Sequence, residues 1–167
     1  MQSEPPFCPR CTKLLVFGGK YPRCPDGHYE LFNNPVPVVS FVAPYEDGIV
    51  CVKRGIEPFK GEWSLPSGYV EAFTDPRDQV CAESKEETNL VIRPKRLIHA
   101  CKSYATSNRL ILFYLAEVVS GTLRAGDDAA EAAYYTRRTM PRLCFPSHEI
   151  VVDHYWRNAL GSLIDAR

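Results

Sequence analysis

Short apolar runs alternate with turn-forming stretches along the chain, and the pattern of each run indicates the element it forms. Residues 36–43 (VPVVSFVA) are rich in β-branched valine and nearly devoid of polar positions, which predicts a buried strand. A turn over 44–48 leads into 48–54 (GIVCVKR), the returning strand, with Cys51 in the core and Lys53 and Arg54 at its exit. Two more strands are predicted at 91–105 and 110–119, joined by a loop or hairpin over 104–108. The second of them (LILFYLAEVV) is apolar enough to be central. Helix punctuation brackets 75–89. Asp75 suits the N-cap, Pro76 the first helical position and Asn89 a left-handed close, with Pro94 beyond. Near the other end, 140–146 reads as a short turn. Ser147 reads as the N-cap of a second helix that ends at Gly161 and packs through Ile150, Val151, Tyr155 and Leu160. His148 and His154 are expected as ordinary helix or surface residues rather than ligands.

The first helix carries the candidate chemistry. Glu83, Glu86 and Glu87 stand at i, i+3 and i+4, so a helix puts all three on one face. Three like charges repel unless a cation sits between them, and carboxylate oxygens suit hard divalent cations such as Mg²⁺ or Mn²⁺. A solvated acidic face is the alternative from spacing alone. The lead-in 61–68 (GEWSLPSG) and the loop running into Thr74-Asp75-Pro76 favour a loop–helix–loop metal site.

Composition narrows the class. The 167 residues fit one medium domain, or a domain with a small appendage, and 45% hydrophobic with 24% charged is ordinary for a globular chain. Formal net charge is zero and the pI about 6.9, which speaks against a general polyanion-binding surface and so against nucleic acid as the partner. No apolar run is long enough for a membrane span, and the first residues hold no apolar signal core; the default expectation is a cytoplasmic protein.

From Gly68 to Leu90 the sequence resembles the box of the Nudix hydrolases, G-x5-E-x7-R-E-U-x-E-E-x-G-U with U aliphatic. Its glutamates fall on Glu83, Glu86 and Glu87, its final aliphatic on Leu90, and the upstream W-x-L-P-x-G pattern is matched from Trp63 to Gly68. Thr74 stands where the loop glutamate is expected, Ala82 replaces the arginine, Ser84 the aliphatic residue, Asn89 the glycine, and Ser67 the first of the usual glycine pair. The loop glutamate and the arginine are lost together, so neither charge is left unpaired, and Asn tolerates the left-handed conformation. The resemblance implies an α/β/α sandwich around a mixed sheet. It also implies Mg²⁺ or Mn²⁺ held by Glu83, Glu86, Glu87 and the Ser67 carbonyl, with Glu83 as first candidate for the general base. Glu71 is a further loop acid. Glu131, in a segment (131–135) similar to one that begins a late strand in the family, is a reserve base; a structural or exposed glutamate is the alternative there. Arg54, Trp63, Tyr69 and Tyr104 are the expected substrate-binding residues, and Phe41 a further aromatic that either stacks on a base or lies in the core.

Residues 1–34 form a separate unit in this reading, ahead of a catalytic domain at 35–167. Cys8-Pro-Arg-Cys11 is a knuckle, and Cys24 with His28 follows at ribbon-like spacing. Together they would make a tetrahedral Cys₃His zinc site, and so short a stretch needs a metal to fold. Zinc ribbons that precede Nudix domains usually carry a second Cys-x-x-Cys; here Gly27 takes that cysteine's position, with His28 one place later. Without zinc the unit is a mobile arm with free thiols.

The resemblance implies hydrolysis of a diphosphate linkage in a nucleoside diphosphate derivative. The residues after the box, Cys101 to Leu115, lack the signature of the NADH-cleaving group. A small-molecule dinucleotide such as FAD or ADP-ribose, releasing AMP, is therefore the expected substrate. NADH or NAD-capped RNA is one alternative, and an inactive nucleotide sensor or a ribbon-based adaptor another. Members of the family are often homodimers, so the resemblance leaves a homodimer as one possible state, which the sequence itself does not give.

Overall fold

The computed structural model describes residues 7–103 and 108–164. The chain divides into two compact units, Met1–Pro35 and Val36–Arg167. In the first, isolated bridges pair Phe7 with Leu14, Val16 with Arg23 and Arg23 with Glu30, around a small core of Cys8, Leu15 and Cys24.

The second unit runs β1 (Val36–Val42), β2 (Pro44–Tyr45), β3 (Gly48–Arg54), β4 (Trp63–Ser64), β5 (Ser67–Tyr69), α1 (Pro76–Thr88), β6 (Val91–Lys102), β7 (Arg109–Ser120), β8 (Ala129–Thr136) and α2 (Pro146–Ile164). One sheet has the order β5-β1-β7-β6 and is mixed: β1 lies parallel to β7, and the other neighbours are antiparallel. The other sheet sets β2, β4 and β8 antiparallel to β3. β1 and β3 are tied where the Val50 N–H donates to the Ala43 carbonyl (3.1 Å).

The near-continuous apolar runs follow from burial of both strand faces. Alternate residues go to two separate cores. Val39, Phe41 and Ala43 of the first run, with Val50, Tyr114 and Ala116, pack around Val80 of α1. Val42, Ile49, Cys51, Ile111 and Phe113 point the other way, onto Val151 and Val152 of α2. The result is an α/β arrangement in which α1 covers one core of the strands and α2 the other. Phe41 is fully buried, so its ring serves the core and is not available for stacking on a substrate.

The second helix departs from expectation at both ends. It begins at Pro146, one residue before Ser147, because proline at the first helical position lacks only an N–H that would have no partner there anyway. It continues through Gly161, where glycine costs about 1 kcal/mol relative to alanine without forbidding the helix. Its buried face is His148, Val151 and Val152, with Tyr155 half-buried, at i, i+3, i+4 and i+7. Ile150 lies off that face and is 49% exposed, so it is not a core residue. His148 lies in the helix, one of the two expected placements, and is buried; its Nδ1 accepts from the Leu65 N–H (3.1 Å), and burial holds it neutral with a pKa lowered to about 3. The side chain of Leu160 lies outside the described residues.

Candidate active site

Helix α1 is held at both ends by the residues that its punctuation marks. Asp75 caps it by accepting from the Arg77 N–H (2.8 Å), and Asn89 closes it in the left-handed conformation, at φ 57°. Its middle turns Glu83, Glu86 and Glu87 into one cavity of about 300 Å³, alongside Arg54, Ser67 and Glu71. Glu87 is only 8% exposed, and one of its oxygens accepts from the Ser67 N–H (3.0 Å). The Glu83 carboxylate lies directly on Gly68. A Cβ there would stand 1.9 Å from Glu83 Oε1, so only glycine leaves this position open to the carboxylate.

Burial dominates the electrostatics. It pushes the Glu87 carboxyl up to about 8, with the Glu83 and Asp128 charges adding to the shift and the Ser67 N–H and Arg54 opposing it. Burial also raises Glu83; a Gln79 hydrogen bond opposes this, and Glu86, Asp127 and Asp128 add to it. Among the described residues lining the cavity, Arg54 is the one basic side chain set against these acids. An all-oxygen donor set of excess negative charge, withdrawn from water, fits a hard divalent cation.

Asp127 and Asp128 escape a reading by sequence. They line the cavity opposite the helix and come from the loop after β7, which the sequence marks only as small and acidic. The loop is pinned to the end of α1, whose last carbonyls have no partner within the helix. The Arg124 N–H donates to the Thr88 carbonyl (3.0 Å) and the Gly126 N–H to that of Glu87 (3.2 Å). Asn89 Nδ2 adds a bond to the Thr122 carbonyl (3.0 Å), a contact that glycine at this box position could not make. On the far side the Gly55 N–H donates to the Asp128 carbonyl (2.6 Å). The paired acids directly after Gly126 were the available signal.

Arg54 reaches the cavity because the β3–β8 register shifts between Lys53 and Arg54, an irregularity that re-aims side chains beside functional sites. Its Nε donates to the Pro58 carbonyl (2.6 Å), and its guanidinium lies 5.4 Å from the Phe145 ring. Tyr69 also lines the cavity. A second cavity of about 230 Å³ shares Arg54, Ile56, Ser67, Gly68 and Tyr69 with the first and adds Arg109, Phe145 and His148. The Arg109 guanidinium sits 5.1 Å from the Tyr69 ring. Glu131 faces Lys53 across the strand pair, ion-paired at 2.8 Å, and Trp63 packs edge-on to Tyr135 (4.9 Å); neither is a lining residue of the two cavities. Tyr104 lies outside the described residues.

In the N-terminal unit, the ligand atoms of Cys8, Cys11, Cys24 and His28 all lie within 4.8 Å of one another. The Sγ atoms of Cys11 and Cys24 are 3.5 Å apart, close to the roughly 3.8 Å edge of a tetrahedron with Zn–S bonds near 2.3 Å. The cluster is compatible with zinc.

A helix that presents three carboxylates to a loop-lined, acid-rich cavity, on a sheet covered from both sides, is the arrangement of a hydrolase of the Nudix type. The chain belongs to the NUDIX domain family, whose model matches residues 34–155. It is 33% identical over 134 residues to an ADP-ribose pyrophosphatase of Methanocaldococcus jannaschii, covering 78% of this chain and 79% of that relative. Its fold is similar to a NUDIX hydrolase from Nitrosomonas europaea (TM-score 0.72, 20% identity, 81% of this chain and 80% of the other). It is also similar to the NUDIX domain of Shewanella oneidensis NrtR complexed with ADP ribose (TM-score 0.63, 18% identity, 77% and 90%).

Proposed function

We propose that the chain hydrolyses the pyrophosphate bond of an adenosine dinucleotide of the ADP-ribose or FAD type and releases AMP. The observation that carries this reading is the joining of two unlike cavities through Arg54, Ser67, Gly68 and Tyr69: one rich in carboxylates, the other lined by Arg109, Phe145 and Tyr69. A diphosphate would lie at the acidic cavity, with its nucleoside in the other. Glu83, Glu86, Glu87 and the Ser67 carbonyl would hold Mg²⁺ or Mn²⁺, which when bound offsets the diphosphate charge and lowers the pKa of water. Glu83, which lies directly on Gly68 in this cavity, takes the proton from the attacking water. Arg54, beside Glu87, meets the phosphate oxygens. Asp127 and Asp128 complete the acidic wall. ADP-ribose stands first, because the 33%-identical relative is named for it.

The N-terminal unit is proposed to hold one structural Zn²⁺ on Cys8, Cys11, Cys24 and His28, supported by the spacing of their ligand atoms.

The test is product analysis with ADP-ribose, FAD and NADH, with and without Mg²⁺ or Mn²⁺, for the wild type and Glu87→Gln. Metal-dependent AMP release that the substitution abolishes is expected. Nucleotide binding without turnover of any of the three would replace the hydrolase reading with that of a sensor.

A further inference from the structure

In the resemblance to the Nudix box, a loop acid and a helix arginine would pair with each other or support the helix; this chain has Thr74 and Ala82 at those two positions. Yet loop and helix are still tied together. Gln79, at a position where the box accepts any residue, is 6% exposed and bridges the two. Its Oε1 accepts from the Glu71 N–H in the loop (3.2 Å), and its Nε2 donates to Glu83 Oε1 one turn along the helix (2.9 Å). Only one orientation of the amide satisfies both, since the loop N–H needs an acceptor and the carboxylate a donor. The Gln79 bond engages Oε1 of Glu83 against Gly68 and leaves Oε2 for chemistry.

We infer that Gln79 is a positioning residue that takes over the work of the missing acid–arginine pair: it fixes Glu83 in the site and clamps the Glu71 loop to α1. The inference rests on the proposed role of Glu83. It places Gln79 among the partners that orient a ligand from behind, whose loss typically weakens metal affinity or activity by about ten- to a hundredfold.

The experiment uses Gln79→Met in the full chain, a change that keeps the volume and removes both hydrogen bonds. Mn²⁺ affinity is titrated without substrate, kcat and KM are measured on the best dinucleotide, and thermal unfolding reports the fold. Mn²⁺ binding weakened about tenfold or more is expected, with kcat reduced alongside and KM within twofold. Adding Thr74→Glu and Ala82→Arg to Gln79→Met is expected to recover most of both losses. Mn²⁺ affinity and kcat within twofold of wild type would overturn the inference, as would a change confined to the unfolding temperature. Failure of the double addition to restore either would overturn the replacement of the pair. If Gln79→Met does not fold, Gln79→Asn, one methylene short, carries the same comparison. Wild type that binds no Mn²⁺ would instead remove the metal-site reading on which the inference stands.

Discussion

Glu87 is a carboxylate that folding by itself would not bury. Its folded pKa of about 8 lies above the 4.5 of an ordinary glutamate, so the metal-free protein holds this proton between those values. The stability that protonated Glu87 contributes is present below about pH 4.5 and is lost as pH rises towards 8, by at most about 1.4 kcal/mol per pH unit. Glutamine keeps the acceptor for the Ser67 N–H and never ionises. Without added divalent cation, Glu87→Gln is therefore expected to unfold at a higher temperature than wild type at pH 8, and at nearly the same temperature at pH 4.5. Added Mg²⁺ is expected to raise only the wild type. Thermal unfolding across that pH range checks it; parallel curves for the two proteins would contradict it. Gly68 makes the complementary case. Its substitution by alanine displaces the Glu83 carboxylate, the mobile end of a side chain, and not the backbone. Gly68→Ala is expected to cost under about 1 kcal/mol of stability while lowering kcat about tenfold or more, in the range for misplaced catalytic groups. A larger loss of stability than of rate would count against this account.

At the scale of elements, α1 was legible because its ends are local chemistry. Asp75, Pro76 and Asn89 need only their immediate neighbours to cap, start and close a helix, and i, i+3, i+4 spacing then gathers the three glutamates. The loop that faces it was not legible as a site, because its position depends on groups far along the chain: the free carbonyls of Glu87 and Thr88 and the Gly55 N–H. Asp127 and Asp128 reach the cavity through those backbone bonds. Gly126 is one tight point of this docking, since a Cβ there would stand 2.6 Å from the Glu86 carbonyl oxygen, a backbone atom that cannot swing away. Gly126→Ala is thus expected to lift the loop and cost about 1–3 kcal/mol, as overpacking does, with a loss of Mn²⁺ affinity as the two aspartates withdraw. Denaturant unfolding and Mn²⁺ titration read the two effects, and unchanged affinity in the folded variant would show that the aspartates do not serve the cation. α2 was misjudged at its ends because Pro146 itself suits the first helical position and Gly161 weakens a helix without ending it.

At the scale of the molecule, the near-continuous apolar runs of 36–43, 48–54 and 110–119 already implied buried strands, whereas strand order and register do not follow from any one segment. The register is what sets Glu131 against Lys53 and turns Arg54 into the cavity. The two units also differ in what stabilises them. Val36–Arg167 has two apolar cores, while the N-terminal unit buries little beyond Cys8, Leu15 and Cys24, two of which are themselves candidate ligands. A core of that size does not offset the conformational entropy of some thirty residues, at about 1–2 kcal/mol each for the backbone alone. The exposed Lys13–Asp26 ion pair, one of the few side-chain contacts across the unit, adds little. On the proposed zinc site, metal binding would supply the folding free energy of this unit. The purified full chain is expected to carry one Zn²⁺, and Cys11→Ser to lose most of it. Hydrogen exchange of the variant should show protection lost over 7–31 and retained in β1, β3, β7 and α1. Full zinc content in Cys11→Ser would remove Cys11 from the proposed site, and undiminished protection in a zinc-free chain would mean that the apolar contacts of the unit suffice for its fold.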